Sequence, residues 1–146
     1  MKTLFIINPI SGKGSKDKLI SRLDEMGFEY VVTSRAGEGE ELARKATQDV
    51  VVAVGGDGTL NEVGRGILGT GKTLGIVPCG SGDGLARFLN IPHDVVKAVE
   101  VISAGKTIPL DAGLINGHPF FSVCGVGFDA NVSKAFAEAG RRGVLT

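Results

Sequence analysis

Three short segments of the chain combine glycine with residues that bind or react with phosphate. They read NPISGKG at residues 8–14, GGDGTLNEV at 55–63 and PCGSGDGLAR at 78–87. Glycine adopts backbone conformations closed to other residues and lets an anion approach the main-chain amides. The second segment follows a buried-type strand and opens a helical pattern, so its first-turn amides offer unpaired donors. These patterns predict a phosphate-binding site.

Asp57, in the middle of the second segment, is the residue most able to do chemistry. A carboxylate repels neighbouring phosphates unless it faces a cation or the proton of a hydroxyl group. Asp57 therefore indicates either a neighbouring magnesium ion or an acceptor for the proton of an attacking alcohol. A purely structural alternative is that Asp57 caps a helix beginning at Gly58.

Two further glycine patterns are coincidences of the glycine-rich composition. Residues 66–73 (GILGTGKT) match a P-loop, and residues 64–69 (GRGILG) match a dinucleotide-binding fingerprint. Both motifs require a strand before them and a helix after them. Here the segment ends a helical pattern and leads into a strand, so we reject both interpretations.

Composition excludes several classes of protein. The 146 residues suit about one domain, and 16 basic residues balance 16 acidic ones. A chain without net positive charge and without tryptophan does not indicate a nucleic-acid partner. No apolar run approaches the roughly 18 residues that span a bilayer, so we predict no transmembrane segment and a cytoplasmic protein.

The hydrophobic pattern alternates between strands and helices. Strands this apolar indicate a parallel sheet covered on both faces, which is a doubly wound α/β fold. Ligands collect at the carboxyl ends of such strands, where all three glycine segments fall. The pattern predicts strands at 3–7, 28–33, 50–54 and 74–77, and helices at 15–26, 37–47, 59–68, within 81–90 and from Pro92.

The pattern changes after Gly105. Residues 106–115 and 119–124 read as two strands, joined by a hairpin at Asn116 and Gly117, which both tolerate positive φ. Residues 129–140 read as a helix, and two strands with one helix are too small to stand alone. We therefore expect a nucleotide-binding domain over 1–105 and the start of a truncated, β-rich second domain over 106–146.

Taken together and in this order, the three glycine segments resemble the diacylglycerol kinase catalytic family, which includes bacterial lipid kinases, sphingosine kinases and ceramide kinases. GGDGT alone also resembles a turn of NAD kinases and phosphofructokinases, whereas the NPISGKG start and the NEV at residues 61–63 favour lipid kinases. The resemblance implies ATP-dependent transfer of the γ-phosphate, with Mg²⁺, to a lipid alcohol at a membrane surface. An NAD kinase-like enzyme and a non-catalytic nucleotide-binding module stay open as alternatives.

The resemblance also implies roles for individual residues. Asp57 matches the general base of the sphingosine kinase branch, whereas in the bacterial branch the base and the magnesium ligands are attributed to the C-terminal domain. We therefore assign no metal ligand here. The implied nucleotide-binding residues are Asn8, Pro9, Ser11, Gly12, Lys13, Thr33, Gly55, Gly56, Asp57, Gly58, Thr59, Asn61, Glu62, Gly80, Ser81 and Gly82.

The chain departs from the family pattern in two ways. Asp83 stands where the family usually has asparagine, and its negative charge favours a ribose or metal-water contact over a phosphate contact. Family members are also longer, with a β-sandwich that supplies the lipid cleft. We therefore expect an N-terminal fragment that holds the nucleotide site and has little kinase activity by itself. The identity of the lipid and the oligomeric state stay open.

Overall fold

A computed structural model of the chain describes residues 1–11, 16–122 and 124. Four parallel strands form its main sheet in the order β2-β1-β3-β4. A separate antiparallel pair, β5 and β6, follows them in the chain. The strands are β1 (Thr3–Ile7), β2 (Glu29–Val32), β3 (Val50–Gly55), β4 (Thr73–Pro78), β5 (Gly113–Ile115) and β6 (His118–Phe120).

Helices cover both faces of the sheet. They are α1 (Lys16–Met26), α2 (Glu38–Lys45), α3 (Asp57–Ile67), α4 (Gly84–Phe88) and α5 (Val95–Ser103). Helices α1 and α5 pack on one face, against Phe5 and Val52, while α2, α3 and α4 pack on the other, against Ile6 and Val51. Neighbouring residues of a strand thus enter opposite cores, as the period of two requires. This arrangement confirms the predicted doubly wound α/β fold.

Strand β3 lies between two partners, and all six of its residues are buried. Its register pairs Val54 with Ile7 of β1 and with Val77 of β4. The carboxyl ends of these three strands therefore lie at the same level of the sheet. The residues that follow each strand are brought to one edge.

Helix α3 begins at Asp57, two residues earlier than the hydrophobic pattern predicts. The apolar periodicity starts only at Leu60, so it does not predict the first turn of the helix. After α3 ends at Ile67, Gly69 and Gly71 both have φ +75°, and β4 begins at Thr73. This order of helix, loop and strand confirms that the P-loop pattern at 66–73 is a coincidence.

The hairpin at Asn116 and Gly117 is confirmed. Their φ angles are +48° and +79°, and the two residues join β5 to β6. The predicted strand over 106–115 is wrong for residues 106–112, which are irregular, because β6 offers only three residues for pairing. The second run stops at Phe120, because the amide of Phe121 donates to the side chain of Asn61 instead of continuing a ladder.

The predicted helix at 129–140 lies outside the described residues. The division of the chain into domains at residue 105 stays a prediction.

Two glycines of α3 provide a matched test of how closely α3 packs on α2. A Cβ on Gly66 lies 2.6 Å from Cβ of Ala43 and against the backbone carbonyl of Glu40, whereas a Cβ on Gly58 meets nothing within 4 Å. We expect Gly66→Ala to lower the free energy of unfolding by about 1–3 kcal/mol. Gly58→Ala should be neutral or raise it by up to about 1 kcal/mol. Urea unfolding measures both, and equal effects would contradict the close packing of α2 on α3.

Candidate functional site

The second and third glycine segments meet at the carboxyl edge of the sheet, together with residues 8–11 of the first. The amide of Asn8 donates to the carbonyl of Val54 (2.9 Å), and the amide of Cys79 donates to that of Gly55 (2.9 Å). The backbone that leaves β1 and β4 thus stays bonded to β3 past the strand ends. This convergence confirms the prediction that the segments after these parallel strands lie at one edge of the sheet.

Gly56 and Gly80 bring two loops into backbone contact. A Cβ on Gly80 would lie 2.7 Å from Cα of Gly56, and a Cβ on Gly56 would lie 3.2 Å from Cα of Gly80. Any side chain at Gly80 would push the loops apart. The two glycines therefore have a steric role as well as a conformational one.

The first turn of α3 is open. Gly56 is its N-cap with an extended backbone, and no side-chain hydrogen bond caps it. The first intrahelical bond runs from the amide of Leu60 to the carbonyl of Gly56, and Gly58 is exposed. Amides at the N-terminus of an eleven-residue helix attract anions. The alternative that Asp57 caps its own helix from Gly58 is wrong, because Asp57 is already the first helical residue.

The carboxylate of Asp57 is directed across to the third segment. Its Oδ1 accepts hydrogen bonds from the amide of Gly84 (3.1 Å) and from the hydroxyl of Ser122 (3.0 Å). Its Oδ2 faces Gly82, where a Cβ would lie 2.9 Å away. One oxygen is therefore held by two donors, and the other is directed at an exposed glycine.

Asn8 connects the first segment to the second. Its side-chain amide donates to the hydroxyl of Thr59 (3.0 Å), and its carbonyl oxygen accepts from the amide of Ile10 (2.9 Å). Thr59 is buried and packs directly against Gly55. Asn8 thus fixes the loop after β1 against the first turn of α3.

Asp83 shapes the third segment from inside. Its side chain is 2% exposed, both carboxylate oxygens accept from the amide of Gly80 (3.1 and 2.9 Å), and Nδ1 of His93 lies 3.6 Å from Oδ2. Burial raises the pKa of Asp83 above its ordinary value, and the Gly80 amide and His93 oppose that rise. The carboxylate bonds its own loop, and its ribose or metal-water contact stays a prediction.

Glu62 caps a different helix. Its two oxygens accept from the amides of Gly37 (2.9 Å) and Gly39 (3.2 Å) at the start of α2. The bonds join residues that are 25 and 23 positions apart in the sequence, so no local pattern signals them. The structure thus gives Glu62 a capping role, and its nucleotide contact stays a prediction.

Asn61 and Thr33 also have structural partners. The Asn61 side chain donates to the carbonyl of Asp57 (3.0 Å) and accepts from the amide of Phe121 (2.9 Å). Thr33 is buried, and its hydroxyl donates to the carbonyl of Ile7 at the end of β1 (3.4 Å). Ser122 was not found by sequence reasoning, because a single serine 65 residues from Asp57 carries no local signal.

The sequence-predicted residues therefore divide into groups. Gly12 and Lys13 lie outside the described residues. Thr33 lies at the end of β2 beside β1, and Glu62 is directed to the start of α2. The loops at the carboxyl edge and the turns beside them hold Asn8, Pro9, Ser11, Gly55, Gly56, Asp57, Gly58, Thr59, Asn61, Gly80, Ser81 and Gly82.

A cavity of about 640 Å³ lies along β4, and Leu74, Ile76, Ile108 and Leu110 are among the residues that line it. Its lining is mainly apolar and includes none of the predicted site residues. The candidate site is thus an open edge of loops rather than this cavity.

Cys79 fits a packing role, because burial raises the pKa of its thiol to about 11 and keeps it protonated.

Removal of the Glu62 carboxylate tests its capping role. Glu62→Ala leaves the amides of Gly37 and Gly39 without their acceptor, so we expect a loss of about 1–3 kcal/mol in the free energy of unfolding. The control is Glu41→Ala, at an exposed ion pair of α2 with Arg35, which should cost less than about 1 kcal/mol. Weakened ATP binding with unchanged stability would instead support a nucleotide contact.

The buried carboxylate of Asp83 predicts a pH dependence. Because its pKa is raised in the folded state, its contribution to stability is present below its ordinary value of 3.8 and is lost as the pH rises through the folded-state pKa. Wild type should therefore lose stability relative to Asp83→Asn between about pH 3.5 and about pH 6. Urea unfolding of both proteins at the two pH values measures the difference, and a difference independent of pH would contradict the raised pKa.

Comparison with known proteins identifies the family. The sequence profile of the diacylglycerol kinase catalytic domain matches residues 2–115. The chain is 35% identical over 134 residues to a diacylglycerol kinase of Bacillus subtilis (strain 168), which covers 84% of this chain and 44% of that protein. It is 33% identical over 139 residues to a diacylglycerol kinase of Staphylococcus carnosus (strain TM300), covering 88% and 45%.

Solved structures agree with the sequence relatives. A crystal structure of a diacylglycerol kinase from Bacillus anthracis str. Sterne matches with a TM-score of 0.74 and 26% identity, covering 82% of this chain and 45% of that one. The chain thus spans under half the length of the relatives it matches. The profile match over the α/β domain and the shared fold show that this chain belongs to the diacylglycerol kinase catalytic domain family.

Proposed function

We propose that the chain forms the nucleotide-binding part of an ATP-dependent lipid kinase, which transfers the γ-phosphate of ATP to a lipid hydroxyl. One observation carries the proposal: the Asp57 carboxylate lies between two glycine loops, at the open N-terminus of α3. Membership of the family supports the kinase activity. The names of the relatives support diacylglycerol as the acceptor.

The nucleotide phosphates would lie over the glycines at 55–58 and 80–82. These loops expose backbone rather than side chains, and the α3 dipole adds partial positive charge at the same place. The hydrogen bond between Asn8 and Thr59 fixes the loop after β1 against the first turn of α3. Pro9, Ser11, Gly12, Lys13 and Thr33 complete the proposed nucleotide site.

Asp57 would accept the proton of the attacking lipid hydroxyl. A carboxylate can do so only within hydrogen-bond reach of that hydroxyl, and its Oδ2 is the oxygen directed away from the protein donors. Glycine at position 82 keeps a side chain away from this oxygen. Asn61 supports the same turn by bonding the carbonyl of Asp57.

The residues present fit Mg²⁺ only as an ion shared with the nucleotide. In the ranges that the structure describes, no three acidic, histidine or cysteine side chains are placed to hold a metal ion. Both oxygens of Asp83 are bonded to Gly80, and Oδ2 of Asp57 is the proposed proton acceptor, so the nucleotide phosphates would supply most of the ligands of the ion. Mg²⁺ commonly binds through one or two carboxylates together with substrate phosphates, whose charge it neutralises.

The acceptor lipid would be met at a membrane surface. No helix among the described residues is both long and apolar enough to cross a bilayer. Since ATP is a cytosolic nucleotide and the acceptor is a membrane lipid, we place the reaction at the cytoplasmic face of the membrane.

The substitution Asp57→Asn tests the proposal. The natural polypeptide that contains this chain is supplied with ATP, Mg²⁺ and vesicles containing diacylglycerol, and transfer of the γ-phosphate to lipid is measured. We expect kcat to fall by about 10²–10⁴-fold, because a general base contributes about that much, with little change in ATP affinity. Asp24→Asn, at an exposed carboxylate of α1, is the control and should retain activity.

Three outcomes would contradict parts of the proposal. Full turnover by Asp57→Asn would remove this residue from the chemistry. Phosphorylation of NAD in place of lipid would favour an NAD kinase-like enzyme. ATP binding without transfer to any alcohol would favour a non-catalytic module.

A further inference from the structure

The segment that follows β6 packs on α3 beside the candidate site. The amide of Phe121 donates to Oδ1 of Asn61 (2.9 Å), and the Phe121 ring lies where a Cβ on Gly64 would be 2.7 Å from its nearest carbon. The next residue, Ser122, has its hydroxyl 3.0 Å from Oδ1 of Asp57. Residues 121 and 122 thus contact both the middle and the first turn of α3.

The two oxygens of Asp57 are not equivalent. Oδ1 receives the amide of Gly84 and the hydroxyl of Ser122, which lie 27 and 65 residues further along the chain. Oδ2 lies against Gly82, where a Cβ would be 2.9 Å away. A carboxyl group turns freely about its last torsion when a single donor holds it, and two donors on one oxygen restrict that rotation.

The geometry points to Ser122 as a positioning residue for phosphoryl transfer. We propose that its hydroxyl, together with the Gly84 amide, holds Oδ1 of Asp57 so that Oδ2 is directed to the proposed phosphate loops. The inference rests on the proposed role of Asp57. Ser122 itself would touch neither the nucleotide nor the lipid.

The surroundings of Ser122 fit this role. A Cβ on Gly84 would lie 3.1 Å from its hydroxyl oxygen, so the hydroxyl fills space left by the absent side chain. Ser122 and Asp57 are both partly buried, which strengthens a hydrogen bond to a carboxylate relative to one in water. A hydroxyl also rotates to give its proton to a carboxylate, which accepts but does not donate when ionised.

Three variants test the proposal in the same lipid kinase assay. Ser122→Ala should lower kcat about tenfold or more, because Oδ1 of Asp57 loses one of its two donors, and should leave the KM for ATP nearly unchanged. Ser122→Thr keeps the hydroxyl and should recover most of the activity. Ser103→Ala, which removes a hydroxyl bonded to Val99 within α5, is the matched control and should match wild type.

A double-mutant cycle shows whether Ser122 acts through Asp57. In an Asp57→Ala background, Ser122→Ala should cause no further loss of kcat, because the oxygen that it positions is absent. An equal loss in both backgrounds would overturn the proposal. So would wild-type kcat in Ser122→Ala, or a higher KM with unchanged kcat.

A second cycle is independent of the reaction. The thermal unfolding midpoints of wild type, Ser122→Ala, Asp57→Ala and the double variant should be non-additive, because each single change breaks the same hydrogen bond. Additive midpoints would overturn the proposed contact. If wild type phosphorylates no lipid, the proposed function fails while this cycle still decides whether Ser122 holds Asp57.

Discussion

The backbone contact between Gly56 and Gly80 is the constraint on which the candidate site depends. It follows from the β3–β4 register, which ends by pairing Gly55 with Pro78 and so starts both loops at one level. Only glycine at position 80 allows the main chains to approach this closely. Since Asp57 directly follows one of these glycines, the same approach brings its carboxylate within reach of the Gly84 amide.

Long-range hydrogen bonds from polar residues complete the site. Asn61 bonds Phe121, 60 residues away, while Glu62 bonds Gly37, 25 residues away. Both side chains belong to α3, and Asn8 reaches the same helix at Thr59. The segment GGDGTLNEV thus has two roles. Its backbone amides at the start of α3 are left for an anion, and its polar side chains fix the neighbouring loops. A motif can therefore look like a set of ligands although several of its members act as supports.

The sequence predicts the fold and the location of the site better than the roles of its residues. The apolar strands, the hairpin at Asn116 and the shared edge follow from local patterns that the structure confirms. Asp83, Glu62 and Ser122 could not be assigned, because their partners depend on which loops the fold brings together. The missing strand at 106–112 has the same origin, since a β-type run forms a strand only where a partner of matching length lies beside it.

Of the three carboxylates near the carboxyl edge of the sheet, only Asp57 keeps an oxygen that no protein donor among the described residues holds. Asp83 is buried and bonded to Gly80, and the pKa of its carboxyl is raised by that burial. Glu62 is occupied at the start of α2. Asp57 alone among these three has an oxygen that lies against the exposed backbone of Gly82. An anionic ligand there meets amides and one carboxylate, a combination that favours a phosphate only when a cation or a hydroxyl proton accompanies it.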